Sequence, residues 1–113
     1  MTTFDSGRQA EQVAADFLVR QGCVIVARNW RTRMCEIDVI AERGGILYFC
    51  EVKYRRSISQ GSGIEYVTPK KVQQMRFAAA SWMHVHGWEG ESELCAIEVS
   101  GTKFKITNVV KDI

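Results

Sequence analysis

The stretch CEIDVIAERGGILYFCEVKY (35–54) decides the fold. Two apolar, β-branched runs flank Arg43-Gly44-Gly45, and a two-residue Gly-Gly connection is a natural type I′ hairpin turn, because both positions need positive φ. That turn pairs Arg43 with Ile46, and every further pair has residue numbers summing to 89. Asp38 then stands opposite Glu51, and Glu36 opposite Lys53. Directly opposed side chains share a face, with Cβ atoms roughly 4.5–5.5 Å apart. The same face carries Ile40, Leu47 and Phe49, so it is apolar near the turn and charged at the far end. The other face, with Ile37, Val39, Ala41, Tyr48, Cys50 and Val52, reads as core.

Three carboxylates and one ammonium at this spacing leave a local excess of negative charge. Like charges this close repel, and one acid takes up a proton unless a cation intervenes. A divalent ion held by Asp38 and Glu51 removes the conflict, and oxygen ligands suit Mg²⁺ or Mn²⁺. The backbone carbonyl of Val52 offers a further oxygen. Lys53 would then orient a water or steady charge developing on a phosphate. The plain alternative is an ordinary Glu36–Lys53 cross-strand ion pair, worth about 0.2–1 kcal/mol at a surface, with Asp38 and Glu51 solvated.

Working outward, residues 7–21 read as a helix. Ser6 and Gln9 suggest a capping box, Gly22 a stop, and Ala10, Val13, Ala14, Phe17 and Leu18 an apolar stripe. Glu11 lies at the edge of that stripe. A strand is expected at 23–29, before those at 35–42 and 46–54. Residues 55–63 read as a loop. Thr68 caps a second helix with Pro69 at its first position, a stripe of Val72, Met75, Ala79, Trp82 and Met83, and a stop at Gly87. Residues 94–100 and 103–110 form a closing hairpin around Gly101. The expected class is α/β, a mixed central sheet flanked by helices in the order α-β-β-β-α-β-β.

The 113 residues suit one domain, 1–113, and no run is long and apolar enough for a membrane helix. The first residues lack the layout of a signal peptide, so a cytoplasmic protein is expected. Cys23, Cys35, Cys50 and Cys95 include no CxxC pair and sit in apolar runs, as buried free thiols do. The net charge of +2 hides an uneven spread: residues 28–76 hold ten bases and five acids. A basic middle suits an anionic partner such as nucleic acid, although random surface clustering would look the same.

The D-x12-E-V-K spacing after a helix bearing Glu11 resembles the PD-(D/E)xK nuclease superfamily, with its restriction endonuclease-like fold. More closely, GRQAEQVAADFL, RNWR, CEIDVI, YFCEVKYR and VTPKKVQQM, in this order, resemble the YraN family of predicted endonucleases. The resemblance spans roughly residues 7–85. It implies that Asp38 and Glu51 bind metal, that Lys53 is the catalytic lysine, and that Glu11 adds an acid, as in archaeal Holliday junction resolvases. Glu36 belongs to the strand motif. Cys35 departs from the family by standing where glycine is usual, and by alternation it points away from the acids.

The expected activity is divalent-metal-dependent hydrolysis of DNA phosphodiesters, in branched or otherwise structured DNA. Arg28, Arg31, Arg33, Arg55, Arg56 and Lys71 supply a surface for phosphates. Trp30 either stacks on an unpaired base or packs in the core. Symmetric cutting of two strands would call for a homodimer. The rival reading is an inactive nuclease-like domain that binds nucleic acid or assembles a repair or uptake complex.

Overall fold

The computed structural model describes residues 3–57 and 67–113. Its elements follow the expected order: α1 (Thr3–Arg20), β1 (Val24–Arg31), β2 (Glu36–Arg43), β3 (Ile46–Arg55), α2 (Pro69–His86), β4 (Glu91–Ser100) and β5 (Lys105–Lys111). They form one five-stranded sheet in sequential order. β3 and β4 are parallel and the other neighbours antiparallel, so the sheet is mixed. A parallel neighbour needs a crossover, and α2 is that crossover. Most of the expected loop, 58–63, lies outside the described residues.

Each helix covers one face. Ala10, Ala14 and Leu18 of α1 pack on Val39, Ala41, Tyr48, Cys50, Cys95, Ile97 and Val99. Met75, Ala78, Ala79 and Trp82 of α2 pack on Ile37, Ile40, Leu47, Phe49 and Leu94. Phe49, fully buried, meets the edge of Trp82 at a centroid distance of 6.0 Å, worth about 0.5–1.5 kcal/mol beyond its burial. All four cysteines are free thiols.

Local chemistry explains the boundaries. Gly44 and Gly45 have φ of 60° and 79°, and the ladder from Arg43–Ile46 to Val39–Cys50 keeps the register that sums to 89. Thr68 Oγ1 accepts the Lys71 N–H at the start of α2. Both helices end in Schellman pairs: the N–H groups of Gly22 and Cys23 return to Val19 and Leu18, and those of Gly87 and Trp88 to His84 and Met83.

Two expectations fail locally. α1 already runs from Thr3, so Ser6 lies inside the helix rather than capping it. Ile37 packs on the α2 side with Ile40, not with Val39 on the α1 side. Strict alternation would separate Ile37 from Ile40, so β2 is irregular between them, at Asp38.

Candidate active site

The ladder between β2 and β3 stops at Val39–Cys50. In an antiparallel pair every second rung is hydrogen-bonded, so after Val39–Cys50 the next such rung would join Ile37 to Val52. Instead the Val52 N–H donates to Asp38 Oδ2 at 2.7 Å. A carboxylate has replaced a backbone carbonyl, and the two strands fork around it. The expected ladder pairs Asp38–Glu51 and Glu36–Lys53 are therefore not formed as rungs. N–H and C=O of an extended residue face the same side, so the Val52 carbonyl also points toward the fork.

The other neighbour of β2 is irregular at the same level. Arg28 pairs with Val39 and Trp30 with Ile37, which sets Asn29 against Asp38. Asn29 has φ of 54°, a left-handed conformation that asparagine tolerates better than most residues. Its amide, oriented as the surrounding acceptors demand, donates to Glu11 Oε1 at 2.8 Å and to Glu36 Oε1 at 3.1 Å. Asn29 thus ties an acid of α1 to an acid of β2.

Carboxylate oxygens of Glu11, Glu36 and Asp38 all lie within 4.8 Å of one another. Asp38 is 8% exposed. Burial and then the charge of Glu51 push its carboxyl up to about 8, against the pull of the Val52 N–H. Burial and Glu36 also raise Glu11, against Arg28, Asn29 and Arg8. Burial raises Glu51 too, against Lys71 and Lys53. The site is a desolvated nest of acids that a cation would relieve. The oxygens present are the hard donors that Mg²⁺ or Mn²⁺ take, so this donor set fits such an ion.

Glu51 stands beside that triplet rather than within it. Its carboxylate lies 3.4 Å from Lys71 Nζ, so α2 supplies a cation at the cleft. Glu36 is held by Arg31 Nε at 2.7 Å. Lys53, exposed on β3, is the in-register neighbour of Glu98 on β4. Glu98 is buried and accepts the Thr107 hydroxyl at 2.8 Å. Cys35 is buried with Ile37 in the α2-side core, and that burial raises its thiol.

The basic residues divide. Arg31 and Lys71 contact the acids directly, and Arg28 reaches Gln12 Oε1 at 2.8 Å on α1. Arg33 and Arg56 are exposed, and Arg55 is half-buried at the end of β3. Trp30 packs against the α2-side core, which favours the second of its two readings. Asn29 and Glu98 were missed from sequence. Asn29 sits in the quoted RNWR run, but its left-handed backbone has no sequence signature. Glu98 acquires meaning only once β4 lies parallel to β3.

The model of the uncharacterised protein family UPF0102 matches residues 10–109, a range that holds every acid of the site. Among similar proteins, a UPF0102 protein of Kineococcus radiotolerans is 44% identical over 80 residues, 71% of this chain and 66% of the relative. One of Leifsonia xyli subsp. xyli is 43% identical over 81 residues, 72% and 69% of the two chains. One of Chlorobium phaeobacteroides is 46% identical over 77 residues, 68% and 61%. The chain thus spans about two thirds of the length of the curated relatives it matches.

Proposed function

The chain belongs to the uncharacterised protein family UPF0102, the YraN family of the restriction endonuclease-like superfamily, and from that premise we propose that it is a divalent-metal-dependent endonuclease acting on DNA. One observation carries the reading: Asp38 is buried in the fork of β2 and β3, within 4.8 Å of Glu11 and Glu36. A structural acid gains nothing from such company. A cation-binding acid requires it.

Glu11, Glu36, Asp38 and Glu51, with the Val52 carbonyl, are the groups that would hold Mg²⁺ or Mn²⁺. The ion supplies Lewis acidity and neutralises phosphate charge when bound. The Val52 N–H fixes Asp38 Oδ2 and leaves its other oxygen free to turn toward the cleft. Asn29 holds Glu11 and Glu36 apart at a set spacing, so their repulsion is met before substrate arrives. Lys53, with Glu98 beside it, presents an ammonium to the phosphate oxygens. Arg28, Arg33, Arg55 and Arg56 bind flanking phosphates. The cytoplasm, where thiols stay reduced, suits four free cysteines.

The test is cleavage of linear, nicked, flapped and four-way DNA with Mg²⁺ or Mn²⁺. Wild type is expected to cut at least one of them, with Asp38→Asn and Lys53→Ala folded but inactive. Absence of cutting on all four ends the proposal.

A second reading draws on Lys71 and Arg31, which already offset Glu51 and Glu36 without any metal. An inactive domain that grips nucleic acid would be built this way. Salt-dependent DNA binding that ignores both EDTA and Glu51→Gln favours it.

A further inference from the structure

The buried stripe of α2 is Met75, Ala78, Ala79 and Trp82. Phe77 lies off that stripe and is 54% exposed. Toward the start of the helix its neighbours at helical spacing are Lys70, Gln73 and Gln74, so the phenyl ring adjoins a polar stretch of the outer face. Met34 stands at the tip of the β1–β2 connection, 59% exposed. Its position is set by the backbone: Thr32 Oγ1 accepts the N–H groups of Met34 and Cys35, and the Thr32 N–H reaches the Cys35 carbonyl at 2.8 Å.

The two exposed apolar groups share one groove. Met34, Lys70, Gln73, Gln74 and Phe77 line one groove of about 330 Å³. A ring and a thioether offer flat, polarisable surface for stacking. Two carboxamides offer donors and acceptors to a base edge. One ammonium offers a partner to phosphate. Together these are the groups that hold an unpaired nucleobase with its backbone. The residues of the groove neighbour the acid cluster in sequence: Lys70 precedes Lys71, which touches Glu51, and Met34 lies two residues before Glu36.

We propose that this groove binds an unpaired nucleobase next to the scissile phosphate, with Phe77 and Met34 stacking on it, so that the preferred substrate carries single-stranded character at the cleft. The inference rests on the nuclease reading and narrows its substrate. A blunt, fully paired helix leaves the groove empty, whereas a flap, bulge or junction fills it.

The test uses the full chain in EDTA, with a fluorescein-labelled single-stranded oligonucleotide and its blunt duplex. Phe77→Ala is expected to weaken single-strand binding about tenfold and leave duplex binding unchanged. Phe77→Trp keeps the single-strand affinity. Lys70→Gln weakens both forms and lowers the salt slope by about 0.7 on the single strand. A single abasic position, walked along the strand, should cost affinity at one place in wild type and nothing further in Phe77→Ala. If wild type binds DNA and Phe77→Ala binds every form equally well, the groove is not a base site, and the nuclease reading survives. If Phe77→Ala alters only sedimentation of the free protein, the face joins copies of this chain and the inference is overturned. Failure of wild type to bind or cut any DNA removes both readings.

Discussion

The Val52 N–H donates to the carboxylate of Asp38, at the point where a regular sheet would give it to a neighbouring carbonyl. This one exchange opens β2 from β3 and makes the cleft. It also explains how a carboxyl can be buried at all, since a charged-group hydrogen bond offsets part of the desolvation cost. The remaining cost is visible in Asp38's raised protonation.

That cost sets a pH dependence. Asp38 titrates at about 8 when folded, against an ordinary 3.8 when exposed. Between those values the folded chain holds a proton that the unfolded chain releases. Stability without metal is therefore greatest at low pH, is lost as pH rises through this window, and is flat above it. Glu11 and Glu51, also raised, act in the same direction. Urea midpoints in EDTA should fall from about pH 5 to about pH 8 in wild type, and fall less in Asp38→Asn. A wild-type midpoint that rises over this range would contradict the burial of a strained acid.

Metal should reverse that loss. An ion that binds only the folded state stabilises it by mass action, about 2.7 kcal/mol at a hundredfold excess over Kd. At about pH 8 the midpoint in Mn²⁺ should exceed that in EDTA for wild type and not for Asp38→Asn. Calorimetric titration of Mn²⁺ gives the same answer directly. Equal midpoints with and without Mn²⁺ in wild type would leave the cluster as a structural feature only.

Under the proposed function, Lys71 and a metal would compete for Glu51. Lys71 Nζ lies 3.4 Å from the Glu51 carboxylate, and both groups are largely buried. Its removal leaves Glu51 without that cation and makes the acid cluster more negative. Lys71→Gln should thus bind Mn²⁺ several-fold more tightly by calorimetry, while binding DNA more weakly. If Mn²⁺ binds less tightly to this variant, Lys71 assists the metal site instead of guarding it.

The hairpin, its register and both helix stops could be read directly, because glycines at positive φ and the Thr68-Pro69 pair act through local geometry alone. Glu11 and Asp38 were named through spacing and resemblance together, whereas the structure brings Glu36 to them and leaves Glu51 beside the triplet. The fork was not. Alternation assumes an unbroken ladder, and nothing in EIDVI announces that Asp38 will take a backbone N–H from Val52. Ile37 changed sides for the same reason. The Lys71–Glu51 contact needed α2 to be laid across the sheet, a tertiary relation with no local signal. The groove at Phe77 was hidden likewise, since Met34 and Phe77 are far apart in sequence and line one groove only in the fold.

Asn29 should be the most informative substitution outside the acids. It carries two separable properties, a left-handed backbone at φ 54° and an amide shared by Glu11 and Glu36. Asn29→Gly keeps the first and loses the second. Asn29→Ala loses both, and a strained non-glycine residue costs about 1–3 kcal/mol. Alanine should therefore be the less stable of the two in urea unfolding. Asn29→Asp replaces the amide donor with a fourth carboxylate, so it should be destabilised most in EDTA and recover most in Mn²⁺. If all three variants unfold together, the amide does not hold the acids. If alanine matches glycine while aspartate falls below both, the backbone is unstrained and the effect is electrostatic alone.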